Sequence, residues 1–186
     1  MSAVRKRRAR KSKARRASAL PIAWGRRVSP DFKDGVISIC AELRCDADNL
    51  MACMAFETAR TFNPALRNPA SGATGLIQFL PATAKGLGTT VDALAAMSAT
   101  DQLEYVREYF KPWIGRLATL PDLYMAILWP SAIGKVDATP IFVAGSREYE
   151  QNRGLDKDRD GAITKAEAAS YVSAALIQGR KPENLG

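Results

Sequence analysis

The run from Met54 to Gly88 constrains the fold of this chain most strongly. It contains an apolar stretch with a single acid, Glu57, then a loop rich in Asn, Pro, Ser and Gly, and then a second apolar stretch that begins at Gly75. A carboxylic acid that packs against apolar neighbours loses hydration in its charged form, so its pKa rises. Such an acid can still be protonated near neutral pH and can serve as a general acid. The alternative is that Glu57 is a solvated surface residue of an amphipathic helix.

Apolar residues on both sides of this run recur at the spacing of helices. Ser29 and Pro30 are typical of a helix start, and Thr100 is a candidate cap for a later helix. No hairpin dipeptide lies between alternating runs, so strand signals are poor. The sequence therefore predicts a mainly α-helical single domain over residues 28–186. The predicted helices span 30–45, 48–61, 91–97, 101–110, 120–128, 146–152 and 166–177, with short helical pieces at 76–79 and 82–87.

The first 27 residues form a strongly basic segment. They hold eleven of the 27 Lys and Arg residues and no acid, which leaves 16 basic and 19 acidic residues, a net charge of −3, in the rest of the chain. Dense like charges repel one another, so we expect a disordered arm over 1–27. Such an arm binds polyanions, and the candidates are lipopolysaccharide, anionic lipid, teichoic acid and nucleic acid. We do not expect nucleic acid, because few aromatic residues are interleaved for base stacking. A nonspecific solvated tail is the alternative.

Residue types that are absent or rare exclude several classes of function. The chain has no histidine, which excludes Ser-His and Cys-His catalysis and most catalytic zinc sites. Cys40, Cys45 and Cys53 are an odd number without metal-like pairing, so we interpret them as small core residues of a protein made in a reducing compartment. No apolar run is long enough to span a bilayer, and the basic start is not followed by the apolar region of a signal peptide.

The loop after Glu57 suits a polar, uncharged ligand such as a sugar. It is rich in Asn, Ser, Thr and backbone amides, which pair with hydroxyl groups. Cleavage of a glycosidic bond needs an acid for the leaving oxygen and usually a second carboxylate. Residues 58–88 contain no Asp or Glu. If the substrate is a sugar, the nucleophile must come from elsewhere, and one source is an acetamido group of the substrate itself.

Several residues of this run follow one another in a characteristic order. They are Glu57-Thr58, Asn63-Pro64, Gly72-Ala73, Gly75-Leu76-Ile77-Gln78-Phe79, Pro81 and Thr83-Ala84. This order resembles the lytic transglycosylase (SLT) family, and more narrowly phage endolysins of that type. The resemblance is strong over 54–110, extends to residue 150 and leaves out the arm. It implies a lysozyme-like helical domain that cleaves peptidoglycan glycan strands. We expect a monomer, made in the bacterial host cytoplasm without a signal peptide, that acts on the cell wall. For such an enzyme, we favour an anionic envelope surface of lipopolysaccharide or anionic lipid as the partner of the basic arm.

The resemblance also implies roles for individual residues. Glu57 would be the sole acid and base at the bond between N-acetylmuramic acid and N-acetylglucosamine. The muramic acetamido group would assist, and the product would be a 1,6-anhydro sugar. Gly75 would let the backbone approach the glycan closely. The residues expected to contact the sugar are Thr58, Asn68, Gln78, Phe79, Tyr124 and Trp129.

Two departures from the family pattern leave the reaction open. Thr58 replaces the usual Ser after the acid and keeps a hydroxyl group. The family often has an Ala-Tyr-Asn-Ala-Gly segment, whereas the nearest candidate here is Leu-Trp-Pro-Ser-Ala-Ile-Gly at 128–134. If Trp129 takes the place of that Tyr, a stacking face replaces the hydroxyl, although Trp129 can equally be a core aromatic. Tyr124 could supply a phenol, or water could attack and make the enzyme a muramidase.

Residues 156–167 match the twelve-residue EF-hand pattern at every diagnostic position. Gly161 permits the sharp turn of such a loop. Sensor EF-hands usually pair, and only one loop is visible, so we predict a structural Ca²⁺ that braces the fold. The alternatives are a loop that binds weakly, and a noncatalytic module that binds calcium or polyanions. The predicted ligands are Asp156, Asp158, Asp160, the Ala162 carbonyl, Thr164 and Glu167.

Overall fold

The structure is a computed structural model that describes residues 20–186. Over this range the chain forms eight α-helices and one two-stranded sheet, which confirms the predicted mainly α class. The helices are α1 (Pro30–Leu43), α2 (Ala47–Glu57), α3 (Pro81–Gly86), α4 (Val91–Ala96), α5 (Ala99–Phe110), α6 (Leu120–Leu128), α7 (Arg147–Asn152) and α8 (Lys165–Gly179). The strands are β1 (Pro140–Val143) and β2 (Ala162–Thr164).

Side-chain caps explain where the helices begin. The Ser29 hydroxyl accepts a hydrogen bond from the Phe32 amide (3.2 Å), and Pro30 occupies the first turn of α1. The first amides of a helix have no partner inside it; Ser29 accepts a hydrogen bond from one of them, and Pro30 has no amide hydrogen to satisfy. The predicted cap at Thr100 is wrong, because Ser98 accepts the hydrogen bond that starts α5 and Thr100 lies inside the helix.

Helix α2 lies at the centre of the core. Every residue from Asn49 to Ala55 is buried, so this helix is covered on all sides rather than amphipathic. It packs most extensively against α8, and also against α1 and α6. Glu57 is therefore placed where the most buried helix of the domain reaches the surface.

The last residues of the predicted arm are packed in the folded body. Ile22, Ala23 and Trp24 are buried in the core, and the Trp24 indole donates a hydrogen bond to the Ala175 carbonyl (3.0 Å) in α8. The Ala23 amide also donates to the Asp48 carboxylate (2.7 Å). These residues belong to the folded body, so the predicted boundary at residue 27 is wrong. The predicted disorder of residues 1–19 lies outside the described residues.

The segment between α2 and α3 is a loop that turns tightly between Thr74 and Phe79. The predicted helical piece at 76–79 is therefore wrong. The amides of Thr74 and Phe79 each donate to the carbonyl of the other, at 3.0 and 2.9 Å. Between them Gly75 and Gln78 have positive φ angles of 88° and 52°, which are incompatible with a right-handed helix. The chain therefore reverses direction here instead of coiling.

A buried glutamine holds this loop against the helices. The Gln102 oxygen accepts from the Leu76 amide (2.7 Å), and its nitrogen donates to the carbonyls of Pro64 (3.1 Å) and Leu94 (2.9 Å). A Cβ atom on Gly75 would overlap the Gln102 amide. Close packing against Gln102 thus explains the glycine at position 75, in place of the expected close approach to a glycan.

The two strands pair antiparallel, with Phe142 opposite Ile163. The sequence shows no signal for them because they are four and three residues long and are separated by α7 rather than by a hairpin turn. Strand β2 is part of the 156–167 loop. The sheet therefore attaches that loop to the rest of the domain.

All three cysteines are free thiols, and Cys40 and Cys53 are buried. This agrees with their interpretation as small core residues. Among residues 20–186, no helix combines the length and the hydrophobicity that a membrane crossing requires.

Candidate functional site

Glu57 is the last residue of α2 and is half-buried where that helix leaves the core. Burial removes water from its carboxyl group and raises its pKa to about 8. No hydrogen bond or ion pair from residues 20–186 offsets this effect. Glu57 thus carries its proton at neutral pH, as the apolar stretch around it predicts.

No second carboxylate within residues 20–186 shifts the pKa of Glu57, since burial is the only cause of the shift. The next two acids in the sequence have other partners. Asp92 forms an ion pair with Arg67 (2.6 Å), and Asp101 accepts a hydrogen bond from the Ser98 hydroxyl (2.7 Å). Two carboxylates that share a site would influence each other's pKa strongly. The site therefore has the electrostatics of a single acid.

Two tyrosine hydroxyls lie close enough to Glu57 to be affected by its charge. Burial raises the pKa of Tyr109 to about 12 and that of Tyr124 well above its usual range, and the charge of Glu57 adds to both shifts. The Tyr109 hydroxyl donates to the Ala126 carbonyl (2.7 Å), whereas that of Tyr124 has no hydrogen-bond partner among residues 20–186. Tyr124 thus lies near Glu57, and its role as a substrate contact stays a prediction. Sequence reasoning missed Tyr109, since its spacing assigns it only to the apolar face of α5.

The backbone that follows Glu57 is strained. Ala59, Arg60 and Phe62 have φ angles of 49°, 70° and 52°, in the left-handed region that residues other than glycine rarely adopt. Each such residue costs roughly 1–3 kcal/mol and persists only where its surroundings enforce it. The chain therefore turns sharply away from Glu57 at a cost that the adjoining structure must offset.

Thr58 enforces this turn and does not reach a substrate. It is fully buried, and its hydroxyl donates to the Met54 carbonyl (2.6 Å) and accepts from the Phe62 amide (3.0 Å). Its own carbonyl accepts from the Thr61 hydroxyl (2.6 Å). The prediction that Thr58 binds substrate is wrong, because its hydroxyl is occupied by contacts that end α2.

Phe79 is also wrongly predicted as a substrate contact. Only 2% of its surface is exposed, and its ring packs edge-on against Tyr109 with the centroids 6.0 Å apart. It supports the ring of Tyr109 from inside the core.

Asn68 and Gln78 both shape the loop. The Asn68 side-chain oxygen accepts from the amides of Ala70 (2.9 Å) and Ser71 (3.3 Å), which closes a turn at the surface. The Gln78 side-chain nitrogen donates to the carbonyls of Leu66 (3.2 Å) and Gly75 (3.1 Å). Their remaining groups, the Asn68 amide nitrogen and the Gln78 amide oxygen, make no hydrogen bond within residues 20–186. Either group is still available to a ligand.

Trp129 ends α6, the helix that carries Tyr124. Its ring packs edge-on against Phe142 in β1, at 5.1 Å between centroids, and 37% of the residue remains exposed. The ring is therefore fixed by β1 and still offers surface to a ligand.

Asp156, Asp158 and Glu167 form a cluster that could hold a metal ion. One carboxylate oxygen of each lies within 4.8 Å of the others. An all-oxygen set of this kind suits a hard cation.

Hydrogen bonds inside the loop orient Asp156. Its two oxygens accept from the Arg159 amide (2.7 Å), the Gly161 amide (3.2 Å) and the Tyr149 hydroxyl (2.6 Å). The hydrogen bond from the Tyr149 hydroxyl has the largest effect, and together with the backbone amides it holds the pKa of Asp156 below its usual range. The group is therefore ionised at neutral pH, as a metal ligand must be.

The other predicted ligands are used differently in the structure. Asp160 lies outside the three-residue cluster and accepts a hydrogen bond from the Ala162 amide (2.8 Å). Ala162 itself begins β2 opposite Val143. The Thr164 hydroxyl donates to Glu167 (2.8 Å) and caps α8 in a reciprocal capping box, so its predicted role as a ligand is not the one seen here.

A buried ion pair joins the loop at 156–167 to α6. The Lys165 ammonium is 2% exposed and donates to the Asp122 carboxylate (2.6 Å) and the Lys135 carbonyl (2.7 Å). Breaking a buried pair of this kind typically costs about 3–5 kcal/mol, because one charge is left uncompensated. The loop and the helix that carries Tyr124 are thus held together. The sequence contains no signal for this contact between residues 43 positions apart.

The basic residues predicted to bind an anionic envelope lie mostly within residues 1–19, outside the described part of the chain. The full sequence matches no protein-family model and no curated protein.

Proposed function

We propose that this protein is a peptidoglycan-cleaving glycosidase of the lytic transglycosylase type, with Glu57 as its only acid and base. One observation carries the proposal: a lone carboxyl group whose pKa is raised to about 8 by burial, at the surface end of the central helix. Such a group is protonated at neutral pH and can release its proton to a leaving oxygen. A lysozyme-like fold, a monomeric state and the role of a phage endolysin acting on the cell wall belong to the same proposal.

The reaction would proceed in two steps. Glu57 donates its proton to the glycosidic oxygen while the bond between that oxygen and C1 of the muramic residue breaks. The acetamido oxygen of the same sugar attacks C1 and forms a ring. The Glu57 carboxylate then takes the proton of the C6 hydroxyl, whose oxygen attacks C1, reopens the first ring and leaves a 1,6-anhydro sugar. The proton returns to Glu57, so the enzyme is ready for another cycle.

Four of the side chains predicted to contact the sugar keep a polar group or a ring surface for that role. Tyr124 has a hydroxyl without a partner among residues 20–186 and can hydrogen-bond the substrate beside Glu57. Gln78 offers its amide oxygen, Asn68 its amide nitrogen, and Trp129 an exposed ring surface on which a sugar can stack.

A muramidase that hydrolyses the same bond is the second candidate. It is favoured if Trp129 takes the place of the tyrosine in the family pattern, because an indole then replaces the hydroxyl group. In that case water would attack C1 in place of the C6 hydroxyl.

Mass spectrometry of the muropeptides released from purified peptidoglycan tests the proposal. A transglycosylase gives products one water lighter than those of a muramidase. Products that carry the additional water would establish hydrolysis instead. Release of no product, with no loss of turbidity, would leave the noncatalytic calcium-binding or polyanion-binding module.

We further propose that the cluster of Asp156, Asp158 and Glu167 binds Ca²⁺ and that the ion braces the fold. The proposal is supported by the carboxylate oxygens, the tight turn at Gly161 with φ of 88°, and the twelve-residue pattern. Bound calcium would neutralise acids that otherwise repel one another. Since Lys165 joins this loop to α6, the ion would also steady the helix that carries Tyr124.

A further inference from the structure

A surface groove of about 400 Å³ lies between the end of α2 and the face of α8. Four alanines form much of its lining, and two aromatic rings and one arginine complete it. The lining residues are Ala55, Phe56, Ala59, Arg60, Tyr171, Ala174 and Ala175. Because alanine side chains are small, the groove can admit a narrow, extended chain.

The groove starts one aromatic ring away from the site of Glu57. The Phe56 ring packs edge-on against Tyr124 at 5.7 Å on one side and lies 6.2 Å from Tyr171, in a tilted arrangement, on the other. Tyr124 is one of the two tyrosines affected by the charge of Glu57. A polymer whose sugar is held at Glu57 can therefore extend a substituent past Phe56 into the groove.

Two cations flank this groove. Arg60 lines it directly, and the Lys157 ammonium lies 4.7 Å from the centre of the Tyr171 ring. Within residues 20–186, neither side chain has an ion pair with an acid. Lysine and arginine side chains held beside apolar surface are suited to receive carboxylates. The groove thus matches an anionic ligand with small apolar side chains.

We propose that this groove binds the acidic, alanine-containing peptide that peptidoglycan carries on its muramic residues, with Arg60 and Lys157 receiving the carboxylates of that peptide. The proposal rests on the proposed function, since it assigns a second part of the same substrate to a second part of the protein. It makes the enzyme selective for peptide-bearing strands over bare glycan.

The test compares two substrates, purified peptidoglycan and the same glycan stripped of peptides by an amidase. The wild-type protein should have a higher kcat/KM on the peptide-bearing strands. In Arg60→Gln the ratio of kcat/KM on the two substrates should fall about fivefold, the effect of losing roughly 1 kcal/mol of binding. Arg116→Gln is the matched control, because it removes an exposed arginine that does not line the groove, and it should leave the ratio unchanged.

Lys157→Gln provides a second variant in case Arg60→Gln disturbs the strained turn, which circular dichroism would reveal. In Lys157→Gln the ratio of kcat/KM on the two substrates should also fall, by a smaller factor than in Arg60→Gln. An unchanged ratio in both folded variants would overturn the assignment of the groove.

Direct binding separates this inference from the proposed function. A soluble peptide with the sequence of the stem, titrated by NMR, should perturb the amides of Ala59, Arg60 and Tyr171 in the wild-type protein and not in Arg60→Gln. If glycan cleavage is absent but these shifts occur, the proposed function fails and the groove assignment stands. If cleavage occurs and the peptide causes no shifts, the groove assignment fails alone.

Discussion

The carboxyl groups of Glu57 and of the loop at 156–167 have opposite electrostatic surroundings. Burial takes most of the water from Glu57, which has no hydrogen-bond donor among residues 20–186, so its pKa rises to about 8. Burial acts on Glu167 too, but hydrogen bonds from Thr164 and from backbone amides outweigh it, and the pKa stays below the usual range. The same chemical group thus keeps its proton more readily in one region and loses it more readily in the other. The two pKa values differ because Glu167 accepts hydrogen bonds and Glu57 does not, and burial alone does not account for the difference.

The largest expected effect is the loss of catalysis in Glu57→Gln. The amide is close in size to the acid but cannot donate and recover a proton, so turnover of purified peptidoglycan should fall about 10²–10⁴-fold. Turbidity loss of a peptidoglycan suspension measures it. Glu183→Gln, at an exposed position, is the control and should keep full activity. Near-wild-type turnover of Glu57→Gln with an intact circular dichroism spectrum would remove Glu57 from the mechanism.

Glu57 should also make the stability of the protein depend on pH. The unfolded chain releases this proton near pH 4.5 and the folded chain near pH 8, so the folded state binds one more proton between these values. The contribution of Glu57 to the free energy of unfolding is therefore fully present below pH 4.5 and is lost as the pH rises to about 8.

Glu57→Gln should remove this dependence and be more stable than the wild type at pH 8 by roughly 3 kcal/mol. This is less than the full value of about 1.4 kcal/mol for each pH unit between the two pKa values, because the half-buried carboxyl group keeps part of its contact with water. Urea denaturation across this pH range measures the difference. If the two proteins differ by the same amount at every pH, Glu57 does not titrate with a raised pKa.

Calcium should stabilise the protein through the loop at 156–167, and this effect should not depend on Glu57. At a calcium concentration 100-fold above Kd, linkage predicts about 2.7 kcal/mol of added stability, or a Tm rise of roughly 5–10 °C. Asp158→Asn should lose most of this rise, and Asp137→Asn, at an exposed acid outside the cluster, should keep it. Glu167 is a poorer choice for substitution because it also caps α8. A Tm that calcium and chelator leave unmoved would contradict an occupied site.

The smallest effect on purified substrate should come from deletion of residues 1–19. This deletion removes nine Lys and Arg residues and spares Ile22, Ala23 and Trp24, which belong to the core. Each cation near an anionic surface contributes about 1 kcal/mol, reduced by salt. Lysis of whole cells should therefore weaken strongly while cleavage of purified peptidoglycan stays nearly constant. Equal loss on both substrates would assign these residues to folding.

The helices and the acidic cluster of the loop at 156–167 could be predicted because their causes are local. Ser29 with Pro30 sets the start of α1, and apolar spacing sets the length of the helices. Asp156 and Asp158 lie close to Glu167 because the twelve-residue loop folds on itself. Local sequence is enough to specify each of these features.

The roles of the residues around Glu57 depend on distant partners and could not be read from the sequence. Thr58 follows the acid directly, yet its hydroxyl is occupied by Met54 and Phe62. Tyr109 lies 52 positions after Glu57 and meets it only because α5 packs in the same domain. A sequence motif can place a residue in the loop, but the hydrogen bonds of the folded loop decide whether the side chain faces a ligand or the core.

The pKa of Glu57 is the quantity on which the proposed mechanism depends, and NMR titration of its carboxyl carbon measures it directly. The missing resonance in Glu57→Gln assigns the signal. The mechanism predicts a titration midpoint near pH 8 in the free protein. A midpoint near 4.5, the value of an ordinary glutamate, would show a solvated carboxylate that is already charged at neutral pH and cannot be the proton donor.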